Sequence, residues 1–233
     1  MRSASKAGNQ IASLAYLGCI ALLALSVLAL AACTIVPDEE EGAEGEEGLD
    51  IYFVTDEFDP DAFVADIWDD KVVPYFAEQC LPIADVLAVW NQDQEAAGEQ
   101  FGYREKEEGS PWNFRVTGTG VIVAVNTESR ASTVDVDLEP ADGTSDVAIQ
   151  IGPVIKGTSI RDSLEFISFT DFTNQLEFAR LSNAFNAMVN QSVTGELDRE
   201  ALMGKRVTFS GSFTHLQASQ DVLITPVILE VEE

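Results

Sequence analysis

Three features of the sequence predict an α+β fold. Apolar residues recur at four-residue spacing from Phe63 to Phe76, the signature of amphipathic helix. After Trp112 the period drops to two, as in half-buried strands. One further helical stretch, with Phe178, Leu181, Phe185 and Met188 at three- and four-residue steps, separates the third strand from the fourth. Three strands, a helix and two strands is the element order of the OB-fold. The expectation is therefore a five-stranded Greek-key barrel preceded by a bundle of short helices.

The helical front begins at Asp59-Pro60, an N-cap residue followed by proline at the first helical position. Phe63, Val64, Ile67, Trp68, Val72 and Phe76 form its stripe, with Phe63, Trp68 and Phe76 expected in the core. Pro74 and Pro82 each read as a break or a new start, so several short helices are expected, one over Ile83–Trp90 and another over Asp93–Phe101. Glu105 to Pro111 reads as a loop. Val121, Val123 and Val125 mark the first strand. Val134, Val136 and Leu138 alternate with Asp135, Asp137 and Glu139 in the second, one face dry and one wet. Asp142-Gly143 turns the chain into the third strand, Val147 to Gly152-Pro153. Thr158–Phe172 is weakly periodic and leaves a six-stranded variant open. Gly204 closes a helical turn after Asp198, Val207 to Phe213 is the fourth strand, and Val222 to Val231 the fifth, where Pro226 demands an edge or a bulge.

Ahead of this domain the chain carries an address. Arg2 and Lys6 precede an apolar run from Ile11 to Ala32 that ends in Leu30-Ala31-Ala32-Cys33, which resembles the bacterial lipobox. A plain membrane-spanning helix is the alternative, since the run is long enough. The small-small-Cys ending, followed at once by an acidic tail, favours a lipidated Cys33 over both that helix and Cys19. Pro37 to Asp50 holds eight acids and three glycines, a composition that repels itself and extends as a linker. The expected divisions are a signal peptide at 1–32, lipidated cysteine and linker at 33–57, a helical region at 58–108 and the barrel domain at 109–233.

Composition limits function. Forty acidic and 13 basic residues give a net charge of −27, which disfavours nucleic acid and anionic headgroups as partners. With one histidine and three cysteines, neither a metal site nor any cofactor is expected. His215 reads as a surface residue and Cys80 as a small buried hydrophobe. The acids around Asp135 to Asp142 lack the glycine of a calcium loop. Polar groups in otherwise apolar or tight segments are the candidate ligand residues: Trp112, Asn113, Arg130, Lys156, Arg161, Asp171, Asn174 and Gln175. Amides and charged groups beside an indole suit a sugar, hydroxyls to the former and an apolar ring face to the latter. Internal ion pairing and helix capping are the structural alternative for the same residues.

Longer stretches carry a family resemblance: FDPDAFVADIWDDKVVPYF from Phe58, GSPWNFRVTGTG from Gly109, TESRAS from Thr127 and QIGPVIKGTSIRDSLEFISFTDFTNQLEFA from Gln150. The chain resembles the predicted periplasmic lipoproteins termed domain of unknown function 2291, departing from them in its glutamate-rich insert after Pro37. The resemblance implies a lipid-anchored envelope protein with no established catalytic residues, often encoded beside ABC transporters for sugars.

The expected function is thus a non-catalytic periplasmic binding or accessory module linked to carbohydrate uptake, partnered by a sugar or by transporter components. A carboxylate-based glycan hydrolase and a structural envelope protein with a protein partner are the competing readings. The domain is placed on the periplasmic side, on either the inner or the outer membrane. Cys33→Ser should abolish lipid labelling and leave uncleaved precursor; normal labelling of that variant would remove the anchor from Cys33.

Overall fold

A computed structural model describes residues 58–105, 110–216 and 221–232. The signal segment, Cys33 and the acidic linker lie outside these residues.

Helix α1 (Pro60–Ile67) starts on Asp59, whose carboxylate accepts from the N–H groups of Asp61 and Ala62 at 3.1 and 3.0 Å. Pro74 marks a new start, as expected: a π turn (Trp68–Val72) follows α1, and α2 (Val73–Gln79) begins with Pro74 in its first turn, where a missing N–H costs least. A two-residue strand, β1 (Leu81–Pro82), precedes α3 (Ile83–Trp90). Helix α4 (Gln94–Phe101) is capped by Asp93, which accepts from Glu95 and Ala96.

The barrel strands are β2 (Asn113–Asn126), β3 (Ala131–Leu138), β4 (Val147–Pro153), β5 (Arg206–Thr214) and β6 (Leu223–Val231). They run β2-β3-β4-β6-β5 and close through β2–β5, with β4–β6 parallel and the others antiparallel. Closure depends on the length of β2. Its first part, Asn113–Val121, pairs with β5, while Gly120–Asn126 pairs with β3. The two pairings overlap at Gly120, where the backbones approach so closely that a Cβ would lie 2.3 Å from the Asp137 carbonyl oxygen.

The bulge between Ile122 and Ala124 corrects the expected phase of β2. Phe114, Val116 and Ile122 face the core, Val123 is the extra residue, and Val125 rejoins the core beyond it. A second bulge lies beside Pro226 on β6, opposite Ser210 and Gly211. The acidic face of β3 is also corrected. Asp137 is 3% exposed, and its carboxylate accepts from the backbone N–H of Asp142 and of Gly143, so it ties down the turn instead of facing water.

The stretch 158–172 forms helical turns instead of a sixth strand: α5 (Ser159–Ser163) and a 3-10 turn (Phe169–Asp171). Helix α6 (Gln175–Ser192) follows, and a second 3-10 turn (Arg199–Ala201) leads through Gly204, at φ +77°, into β5.

Two cores result. One fills the barrel, where Phe114 and Phe213 stack at 4.7 Å and Trp90 of α3 meets both edge-on. The other lies outside the barrel, where α1, α2, α5 and α6 pack against Val227 of β6 through Val64, Trp68, Val72, Phe76, Leu181 and Phe185. Phe63 is only half-buried there, within an aromatic group that includes Phe58 and Phe172.

Candidate functional site

Beside the outer core, a cleft of about 870 Å³ opens between α6, α5 and the segment that enters β2. Its position follows from local chemistry. Tyr103 and Asn113 exchange two backbone hydrogen bonds of 2.8 Å, which folds the segment after α4 back onto the start of β2. Glu105 reaches to the 3-10 turn and accepts from the Ser168 hydroxyl at 2.5 Å and the Phe169 N–H at 3.2 Å. Asn113 is buried; its Oδ1 accepts from the Thr214 hydroxyl at 2.7 Å.

The second wall is α5. Arg161 is nearly enclosed, with Nε and Nη2 on Asp162 Oδ1 at 2.7 and 2.6 Å, Nη1 on the Phe178 carbonyl at 2.8 Å and the guanidinium 3.8 Å above the Phe178 ring. Asp162 also accepts from the Thr158 hydroxyl at 2.5 Å. The third wall is one face of α6, where Gln175, Ala179, Ser182, Asn183 and Asn186 project at helical spacing. Asn186 donates to the Gly157 carbonyl at 2.9 Å, which fixes the loop between β4 and α5. Tyr103, Ile155, Ile167, Phe169 and Phe178 give the cleft its apolar surface. Burial, then the carboxylates of Glu105 and Glu165, push the Tyr103 phenol above its ordinary range, so it stays a neutral hydrogen-bond donor.

Of the eight residues singled out from sequence, Asn113, Arg161 and Gln175 line this cleft. Trp112 does not. Its ring packs on α4, where a Cβ on Gly98 would come within 2.2 Å of it; its Nε1 donates to Glu95 at 3.0 Å, and Arg104 sits 3.8 Å above it. Asn174 caps α6 by accepting from Leu176 and Glu177. Asp171 caps the 3-10 turn through the Ser168 N–H. Arg130 is exposed in the turn between β2 and β3. Lys156 is exposed beside the cleft, and its backbone N–H and C=O are both bonded to Gln150.

Sequence reasoning passed over Ser182, Asn183 and Asn186, although their three- and four-residue spacing on an amphipathic helix was a usable signal. It also passed over Arg115, which donates to the Ser163 carbonyl and pairs with Glu165, both at 2.8 Å, and so clamps the end of α5 to β2. His215 is half-buried instead of superficial, edge-on to Trp90 at 5.0 Å and 3.1 Å from Gln94 Oε1. Among the described residues, no three His, Cys, Asp or Glu side chains gather as metal ligands.

The family model for predicted periplasmic lipoproteins, domain of unknown function 2291, matches residues 23–230. The chain belongs to this family of predicted periplasmic lipoproteins. The chain is also similar to the crystal structure of an OB-fold protein from Thermotoga maritima, at 18% identity and a TM-score of 0.62, over 75% of this chain and 99% of that one. At that identity the likeness shows the OB-fold alone. No curated protein matches the sequence.

Cys80 shows how the outer core governs reactivity in this lipoprotein. Burial pushes its thiol up to about 11, with the Gly211 carbonyl 3.9 Å from the sulfur. Alkylation needs the thiolate, so at pH 8 Cys80 of the mature lipoprotein should react roughly 100-fold more slowly than a free thiol. The rate should climb as pH approaches 11, and unfolding should restore it at pH 8. Alkylation of the folded protein at the rate of a free thiol would contradict this burial.

Proposed function

We propose that this lipoprotein is a non-catalytic binding module, held on the periplasmic side of a bacterial membrane through lipid on Cys33, whose cleft takes a small polar ligand. The cleft's composition carries the reading: amides and hydroxyls along α6 share the cleft with the apolar surfaces of Tyr103, Phe169 and Phe178, in a volume suited to a small molecule. The carboxylates on its walls support binding over hydrolysis. Glu105 is held by Ser168 and Phe169, and Asp162 by Arg161 and Thr158, so both act as wall ties. The further proposal, that the module assists ABC-type carbohydrate uptake and meets transporter components there, draws on the family resemblance.

The test is thermal unfolding of the full-length lipoprotein in detergent against monosaccharides and oligosaccharides. A ligand at about 100 times its dissociation constant adds about 2.7 kcal/mol, so at least one sugar class should raise the melting temperature saturably. Flat melting behaviour across the panel would contradict the binding reading.

A further inference from the structure

Resting on that reading, we infer that the cleft selects a neutral, hydroxyl-rich ring over its acidic or phosphorylated counterpart, and that the hydroxyl of Ser182 is a recognition group. Two independent observations meet here. The first concerns charge. Among the described residues that line the cleft, Arg161 is the cation, and it is already committed: two of its nitrogens hold Asp162, a third holds the Phe178 carbonyl, and its face lies on the Phe178 ring. A guanidinium so engaged cannot turn its fork onto a carboxylate or phosphate. Glu105 adds a further negative charge to the wall, in a chain whose net charge is −27. The local and global fields therefore both oppose an anionic ligand.

The second observation is Ser182 itself. It is 4% exposed, it lines the cleft, and its hydroxyl has no hydrogen-bond partner. A helical serine ordinarily returns its proton to the carbonyl four residues earlier. Here that carbonyl belongs to Phe178 and accepts from Arg161 instead. The contact that engages the third guanidinium nitrogen thus takes up the carbonyl Ser182 would use, and a buried hydroxyl is left unsatisfied, which is unfavourable until something in the cleft bonds to it. Asn183, one residue on, is exposed and adds a free amide, and Gln175 adds another at the start of α6. Hydroxyl and amide groups of this kind pair with ligand hydroxyls, while Tyr103 and Phe169 cover an apolar ring face.

The experiment compares glucose, galactose and ribose with glucuronate, galacturonate and ribose phosphate by calorimetric titration of the full-length lipoprotein, alongside Ser182→Ala. At least one neutral sugar should bind saturably and more tightly than its anionic counterpart. Ser182→Ala should weaken that binding about tenfold, the loss of one hydrogen bond. The unliganded variant should melt no lower than the native protein, because the hydroxyl removed has no partner in the fold. Tighter binding of an anionic counterpart, or native affinity in Ser182→Ala, would overturn this inference and leave the binding module standing. Binding by none of the six probes would overturn both.

Discussion

A buried chain of hydroxyl and amide groups fixes where the cleft can be. Ser159 of α5 donates to the Ser212 carbonyl at 3.2 Å and bonds the Thr225 hydroxyl at 3.1 Å, and Ser212 returns a bond of 3.0 Å to Ser159. Gln150 of β4 donates to Thr225 at 2.8 Å and to the Lys156 carbonyl at 3.0 Å, and accepts from the Lys156 N–H at 2.7 Å. All four side chains are buried. Each is costly without its neighbours, so the set holds together or not at all. It joins β4, the following loop, α5, β5 and β6, and thereby sets Thr158, Arg161 and Asp162 on the cleft wall.

The two cores divide the remaining work. The barrel core gives closure: β2 is long enough to reach both β3 and β5, its two pairings meet at Gly120, and Trp90 packs against the stacked Phe114 and Phe213. The outer core holds α6 at a fixed height against α1 and β6, and this presents the Ser182, Asn183 and Asn186 face to α5. Arg115 locks the end of α5 to the barrel wall through Ser163 and Glu165. The apolar elements thus supply the position, and the polar ties supply the shape.

Local signals in the sequence carried much of the fold. The Asp59-Pro60 start, the helix after Pro82, the Asp142-Gly143 turn and the order of strands around α6 all depend on chemistry within a few residues. The departures come from long-range effects. Val121 and Val123 alternate as a core face would, yet a bulge imposed by pairing with β3 shifts the phase. Asp137 looks like a solvated acid, yet the turn after β3 brings two backbone N–H groups to it. The site was harder to read for the same reason. Asn113, Arg161 and Gln175 stand out as polar among apolar neighbours, a pattern that caps such as Asn174 and Asp171 share. Ser182 was invisible in that pattern, since its significance depends on Arg161 occupying a carbonyl that sequence alone cannot assign to it.

The buried network holds the cleft in shape before any ligand arrives, and amide hydrogen exchange on the unliganded, full-length lipoprotein reads that out residue by residue. The N–H groups of Lys156, donated to Gln150, and of Asp162, donated to the Thr158 carbonyl at 3.0 Å, should exchange as slowly as those in the middle of β5 and β6. Exchange of the 156–162 segment as fast as that of the exposed 140–144 turn would mean that the wall is not built until something binds, and that the network does not hold it.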